Sequence, residues 1–210
     1  MSVMKCFLKI SAVIAICSTS LFAGDAIRGK ALFNTCYACH GANGDGNFLF
    51  KAPAIAGQDA AYIEAQLVKY KAGIRGAHPK DPEGLQMMPM ARTLRDDADV
   101  KAVTAYILTL PTPKIKDTLE GGDAAKGKSL YATCMACHGD KGQGNPIMKS
   151  PKISSLQDWY LLSQLKKFKT GVRGSNPKDI TGQQMRPMAM MLADEQAMKD
   201  VIAYIRSLDK

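Results

Sequence analysis

The chain has 210 residues, of which 46% are hydrophobic and 22% are charged. This composition is that of a folded globular protein and excludes a disordered chain, a collagen-like repeat and a multi-pass membrane protein. Lysine and arginine outnumber aspartate and glutamate by 28 to 19, a net charge of +9, and this excess is too modest to predict a nucleic-acid-binding surface.

Residues 1–23 have the pattern of a cleaved secretory signal. Lys5 and Lys9 form a basic start, an apolar stretch follows, and small residues precede Gly24. The apolar stretch is too short for a bilayer about 30 Å thick, so a retained membrane anchor is the less favoured alternative. We therefore expect a mature chain that begins at Gly24, is periplasmic, and contacts the membrane at most peripherally.

The rest of the chain consists of two copies of one sequence repeat. A shift of 98 residues aligns the two halves without a gap, and about half of the aligned positions are identical. Such a repeat predicts two domains of the same fold. The predicted boundaries are residues 24–110 for the first domain, 111–121 for the linker and 122–210 for the second domain.

Apolar residues recur with helical spacing and no segment alternates like a strand, so the predicted fold class is all-α. In the first unit we predict three helices, at about residues 25–34, 59–71 and 96–110, and the second unit repeats them. Gly73 is placed to end the second helix. Three short helices bury too little apolar surface for a stable domain of this size, so the core must contain something else.

Each unit carries a Cys-X-X-Cys-His motif near its start. The motifs are Cys36-Tyr37-Ala38-Cys39-His40 and Cys134-Met135-Ala136-Cys137-His138. This pattern is typical of c-type haem attachment, in which two thiols add to the haem vinyl groups and the adjacent imidazole ligates the iron. We predict two covalently bound haem c groups. The alternatives are a zinc site shared between the cysteine pairs or two thioredoxin-like dithiols, and neither accounts for both histidines.

The second axial ligand of each iron must come from elsewhere in the sequence. The remaining histidine, His78, is not repeated in the second unit, whereas a methionine thioether opposite histidine ligates haem iron and raises its potential. The methionine pairs shared by both units are Met87 with Met185 and Met90 with Met188. We favour Met87 and Met185, because they lie farther from the next predicted helix, on a predicted loop that folds over the haem; Met90 and Met188 are the runner-up pair.

These features resemble the class I c-type cytochromes, and in particular the dihaem cytochrome c4 family. Beside the haem motif, each half has a Pro-X-Ile segment (53–55, 151–153), a Gly-X-Arg segment (73–75, 171–173) and a methionine seven residues before a leucine (87 and 94, 185 and 192). The resemblance covers the whole chain after the signal. It implies two tandem class I cytochrome c domains with Met87 and Met185 as axial ligands. It also implies that the carbonyls of Pro53 and Pro151 accept a hydrogen bond from the ring of the motif histidine.

Several other side chains differ between the halves or allow more than one interpretation. Arg75 and Arg173 suit contacts with haem propionates, contacts between the domains, or simple solvation. The halves diverge at residues 56–58 and 154–156, Ala-Gly-Gln against Ser-Ser-Leu, so we expect the two haem surroundings and potentials to differ. The lysines that suit docking to an acidic partner, or a merely solvated face, are Lys69, Lys71, Lys166, Lys167 and Lys169.

A six-coordinate His/Met iron has no vacant position for a substrate, which favours electron transfer over catalysis. We therefore predict a periplasmic dihaem electron carrier between respiratory complexes, not an enzyme. By the resemblance, its donor is a quinol-oxidising complex or a dehydrogenase, and its acceptor is a terminal oxidase or another reductase. The alternative is the haem subunit of a periplasmic oxidoreductase of the sulfide- or thiosulfate-oxidising flavocytochrome type.

Overall fold

The computed structural model describes residues 26–208, and the predicted signal at residues 1–23 lies outside them. Within the described residues, the only β-structure is two isolated bridges, Asn47 with Ala52 and Asn145 with Ser150. The all-α prediction is confirmed for this part of the chain. No helix among residues 26–208 is both long enough and apolar enough to cross a membrane.

Each half of the described chain has four helices, one more than the sequence predicted. The first half contains α1 (residues 26–40), α2 (Ala60–Lys71), α3 (Pro82–Arg92) and α4 (Asp97–Ile107). The second half contains α5 (Ala124–His138), α6 (Asp158–Lys169), α7 (Ile180–Met190) and α8 (Glu195–Ser207). The repeat in the sequence is therefore a repeat of four helices.

The first helix of each half is longer than predicted. It does not end at residue 34 but continues to residue 40, through the whole haem motif, and α5 likewise ends at His138. The residues that end these helices are Gly41 and Gly139, both with φ of +81°. Glycine adopts this backbone conformation without the steric cost of a side chain, so the sequence signal for the helix end lies just after the motif.

The prediction that Met87 and Met185 lie on a loop is wrong, because both lie on helices, α3 and α7. Each helix begins at an aspartate cap: Asp81 accepts a hydrogen bond from the Gly84 amide at 3.0 Å, and Asp179 caps α7 in the same way. Each helix also contains an internal proline. Proline normally disfavours a helix interior, which is why the sequence pattern concealed these two helices.

The first and last helices of each half cross at a glycine. A Cβ atom on Gly29 would lie 1.9 Å from the Ala102 carbonyl oxygen in α4, and one on Gly127 would lie 1.9 Å from the Asp200 carbonyl oxygen in α8. Real atoms do not approach this closely, so the helix axes come together only because no side chain intervenes. The crossings hold the haem motif at the end of α1 or α5 against the last helix of its half.

Gly127→Ala is therefore expected to destabilise the second domain by about 1–3 kcal/mol or more, the usual cost of overpacking. The backbone at Asp200 must move to admit the added methyl group. Thermal or denaturant unfolding followed by the haem absorbance measures this. Lys128→Ala, one residue further along α5 and exposed, is the matched control and should change stability by less than about 0.5 kcal/mol. Equal stabilities for the two variants would contradict the close helix crossing.

Residues 115–119, within the predicted linker, pack against the second domain. The Asp158 carboxylate accepts hydrogen bonds from the backbone amide and the hydroxyl of Thr118 and from the Leu119 amide. Arg206 donates to the Asp117 carboxylate at 2.7 Å and to the Ile115 carbonyl at 3.2 Å. This part of the connection is consequently fixed in place rather than a free tether.

Ion pairs join the two domains. Lys69 contacts Asp179 at 2.6 Å, and Lys167 contacts both Asp81 and Glu83 at 2.6 Å. The side chains of Lys69 and Lys167 are only 14% and 13% exposed. The interpretation of these two lysines as a docking surface for a partner protein is therefore wrong, because their ammonium groups are occupied within the chain.

The other three lysines of that group also have partners in the chain. Lys71 and Lys169 donate to backbone carbonyls near the ends of α3 and α7, and Lys166 pairs with Glu195 at 2.7 Å. The Lys166–Glu195 pair is solvent-exposed, with side chains 46% and 51% accessible.

Candidate functional site

The last turn of α1 arranges the first motif for attachment to a single flat group. Cys36, Cys39 and His40 occupy helix positions i, i+3 and i+4, which lie on one face. The end of α5 repeats this arrangement with Cys134, Cys137 and His138. The four motif cysteines are free thiols of intermediate exposure, so no disulfide competes for them.

An apolar cavity lies beside each motif. The first lies next to Cys36 and His40, and the second lies next to Cys134, Cys137 and His138. The residues that line the first include Cys36, His40, Pro53, Arg75 and Met87. Those that line the second include Cys134, Cys137, His138, Pro151, Arg173, Met185 and Met188. These cavities fit the prediction that something other than protein completes each core, and thiols and an imidazole at the wall suit a covalently attached, iron-containing group.

The structure separates the methionine candidates in the first half only. Met87 lines the first cavity and packs against the apolar core. Met90 does not line this cavity and is 39% exposed. In the second half, both Met185 and Met188 line the cavity.

Each motif histidine is oriented by a proline carbonyl. The Nδ1 atom of His40 lies 2.8 Å from the Pro53 oxygen, and that of His138 lies 3.0 Å from the Pro151 oxygen. A carbonyl only accepts hydrogen bonds, so Nδ1 carries the proton and donates it. The lone pair is then on Nε2, the nitrogen available to bind a metal.

Burial keeps these histidines neutral. Both are 7% exposed, and loss of hydration lowers the pKa of each imidazole, while the hydrogen bond to the proline carbonyl opposes this in part. A neutral imidazole is the form that ligates iron, so the local environment favours the ligating form without a metal being present.

The cysteine environments argue against a redox dithiol. Burial raises the pKa of Cys36 to about 11, with a further contribution from the neighbouring Cys39, and burial also raises the pKa of Cys134. Reactive dithiols have a lowered thiol pKa instead. The two cysteine pairs also line different cavities, so they do not form the shared zinc site. Within residues 26–208 no three His, Cys, Asp or Glu side chains cluster as a metal site.

The two arginines meet between the domains. Arg75 donates to Gln66 at 2.7 Å in its own domain and to the Tyr160 hydroxyl at 3.0 Å in the other. Arg173 mirrors this, donating to Gln164 at 2.7 Å and across the interface to Gln66 at 3.1 Å. Arg75 is only 7% exposed, so it is not a solvated surface residue. The named acceptors are all neutral, and the Nε atoms of both arginines are buried without a partner.

Sequence reasoning missed two glutamines at this interface. Gln58 and Gln157 are 6% and 8% exposed and contact the backbone of the opposite domain. The available signal was the divergence between the halves: Gln58 aligns with Leu156, and Gln157 aligns with Asp59. Paired positions that differ in an otherwise well-matched repeat are those where the two domains make different contacts.

Comparison with known proteins gives one family for both halves. The Cytochrome c family model matches residues 26–111 and 124–209. The chain is 30% identical to cytochrome c-552 of Acidithiobacillus ferridurans, over 97% of this chain and 88% of that protein. It is 32% identical to cytochrome c4 of Thiocapsa roseopersicina, over 89% and 94%. It is also 30% identical to a protein of Stutzerimonas stutzeri named thiosulfate dehydrogenase electron acceptor, over 73% and 72%.

Solved structures give the same result. Reduced recombinant cytochrome c4 from Pseudomonas stutzeri matches with a TM-score of 0.66 and 28% identity, covering 86% of this chain and 97% of that one. Thiosulfate dehydrogenase (TsdBA) from Marichromatium purpuratum matches with a TM-score of 0.68 and 28% identity, covering 86% of this chain. The match spans only 39% of the thiosulfate dehydrogenase chain.

Proposed function

Because the chain belongs to the dihaem cytochrome c4 family and carries two covalently bound haem c groups, we propose that it is a periplasmic electron carrier with one His/Met-ligated iron in each domain. The observation that carries this proposal is the cavity lining. In each domain a motif histidine and a methionine of a different helix line the same apolar cavity. Haem c supplies a one-electron couple at its iron.

The protein's own residues provide the ligands and the surroundings. His40 and His138 each present Nε2, since Nδ1 is engaged by a proline carbonyl. Met87 and Met185 supply the thioether sulfur, which stabilises the reduced iron. Two protein ligands leave no coordination position for a substrate, so this arrangement favours electron transfer over catalysis.

Arg75 and Arg173 would have a second role beyond joining the domains, as partners of the haem propionates. Both line a haem cavity, and both have a buried Nε without a partner. A buried guanidinium with only neutral acceptors is costly unless an anion is near. The propionate is the anion that the bound group brings to this place.

The periplasmic location depends on the signal at residues 1–23, and it sets the class of partners. The donor is a quinol-oxidising complex or a dehydrogenase, and the acceptor is a terminal oxidase or another reductase. Because Lys69 and Lys167 are occupied by ion pairs between the domains, the docking surface must involve other residues.

Purified periplasmic protein tests the proposal. A pyridine haemochrome spectrum should give two haem c groups per chain, and acidified acetone should not extract them. Carbon monoxide should bind the reduced protein slowly and incompletely, because both axial positions are filled. Rapid stoichiometric binding at one haem would reveal an open iron and overturn the carrier assignment in favour of an enzymatic site.

A second candidate function follows from the similarity to the thiosulfate dehydrogenase electron acceptor. In that role the chain accepts electrons from a thiosulfate-oxidising enzyme, as a separate carrier or as its haem subunit. Oxidised protein should then be reduced by thiosulfate only when a thiosulfate dehydrogenase is added, as followed by the haem absorbance. Reduction by thiosulfate alone would show that the chain is itself the enzyme.

A further inference from the structure

A hydrogen-bond chain runs from the motif histidine of the first domain into the second domain. The Pro53 carbonyl accepts from His40, and the amide of the same peptide group, the N–H of Ala54, donates to Gln157 Oε1 at 2.8 Å. The Gln157 Nε2 atom donates to the Asp45 carbonyl at 2.7 Å. The side chain that accepts from the amide of this peptide group therefore belongs to the other domain.

The second domain has the reciprocal arrangement. The Pro151 carbonyl accepts from His138, and the N–H of Lys152, in the same peptide group, donates to Gln58 Oε1 at 3.2 Å. The Gln58 Nε2 atom donates to the Lys152 carbonyl at 2.6 Å. In each domain, the peptide group whose carbonyl accepts from the motif histidine is therefore hydrogen-bonded through its amide to a glutamine of the opposite domain. The bond from this amide is shorter for Gln157 than for Gln58.

The contact made by Gln157 is buried and closely fitted. Ala54 is 1% exposed, and a hydrogen bond in such a dry environment is electrostatically stronger than one in water. Gly46, at φ of +87°, leaves the room that the amide occupies: a Cβ atom there would lie 2.6 Å from both Gln157 Nε2 and the Ala54 nitrogen.

In the second domain, the residue that makes this contact does not cap its own helix. Gln157 occupies the N-cap position of α6, yet its side chain makes no capping bond. At the aligned position, Asp59 caps α2 by accepting from the Ala61 amide at 2.8 Å. A side-chain cap stabilises the start of a helix, so α6 lacks a stabilising bond that α2 has.

We infer that Gln157 and Gln58 are positioning residues that tune the reduction potential of the haem in the opposite domain. Donation from the peptide N–H to glutamine polarises the peptide and makes the proline carbonyl oxygen more negative. A stronger acceptor at Nδ1 makes the imidazole a more basic ligand. A more basic ligand stabilises oxidised iron, so each glutamine lowers the potential of the haem across the interface.

Reciprocal glutamine variants test this inference. Gln157→Met has a similar length but cannot accept from Ala54, so the first-domain haem potential should rise while the second stays unchanged. Amide exchange at Ala54 should become at least about five-fold faster, the equivalent of about 1 kcal/mol for one hydrogen bond. Gln58→Met should raise the second-domain potential instead, and by less, since its amide contact is longer. NMR signals of the motif histidine rings assign each potential to its domain.

Each variant's other haem is the matched control. If both variants shift both potentials alike, the glutamines merely hold the interface together and the inference is overturned; unchanged potentials in both variants also overturn it. If Gln157→Met yields no holoprotein, amide exchange in the reduced wild-type protein decides, because rapid exchange at Ala54 would show that the bond is absent. The inference rests on the proposed histidine ligation, whose failure would be visible separately, as a wild-type spectrum without low-spin haem.

Discussion

Met87→Ala is expected to abolish the sulfur-to-iron charge-transfer band of the first-domain haem and to lower its potential strongly. The thioether stabilises reduced iron, and axial ligands set haem potentials over a range of about 0.8 V, of which the loss of methionine should account for a sizeable share. Met87 lines the first haem cavity, so its removal acts directly on the site. Optical spectra of the oxidised protein and a redox titration measure both effects.

Met90→Ala is the matched control, one turn further along α3. Its side chain is 39% exposed and does not line the first cavity, so the band should persist and the potential should change little. Loss of the band in Met90→Ala with retention in Met87→Ala would reverse the ligand assignment. Both variants remove a methionine from the same helix, so the comparison separates the loss of the thioether at the cavity from the loss of an exposed methionine on α3.

The second domain needs the same pair of variants for a different reason. Met185 and Met188 both line its cavity, so position alone does not select the ligand. The repeat does select it, because Met185 aligns with Met87. Met185→Ala should therefore lose the band of the second haem, and Met188→Ala should keep it.

Features that depend on local spacing could be predicted from the sequence. The haem motifs and helices α2 and α4 follow from residues a few positions apart, and Gly73 does follow the end of α2 with φ of +67°. The repeat follows from a constant shift of 98 residues between the two halves. Helices α3 and α7 could not be predicted, because an internal proline interrupts the pattern while aspartate caps and tertiary packing stabilise the helix.

Apart from Arg75 and Arg173, for which the sequence offered interdomain contacts as one of three roles, the contacts between the domains could not be predicted. Lys69 and Asp179 are 110 residues apart in the chain, and Gln157 and Ala54 are 103 apart. On its own helix, Lys69 has the appearance of an ordinary solvated lysine. The role of such a residue is decided by how the two copies of the repeat pack together, which the pattern within one copy does not encode.

The cross-domain ion pair of Lys167 provides the largest expected effect on stability. Asp81 has a side chain only 5% exposed, it lies 2.6 Å from the Lys167 ammonium group, and it also caps α3, the helix that carries Met87. Lys167→Met would leave a buried carboxylate without its cation, which typically costs 3–5 kcal/mol. Denaturant unfolding monitored by the haem absorbance should show this loss, with the first domain affected as well as the second.

Two further variants distinguish a buried pair from a general effect of removing lysine. Lys166→Met, the adjacent residue, removes an exposed pair with Glu195 and should cost less than about 1 kcal/mol. Combining Lys167→Met with Asp81→Asn should recover part of the lost stability, because asparagine still accepts from the Gly84 amide but carries no buried charge. The prediction is contradicted if the two lysine variants are equally stable, or if adding Asp81→Asn to Lys167→Met lowers the free energy of unfolding further. Either result would show that the Lys167 ion pair does not stabilise the interface. Recovery in the double variant would show instead that the stability of α3, and with it the position of Met87, depends on charge compensation from the second domain.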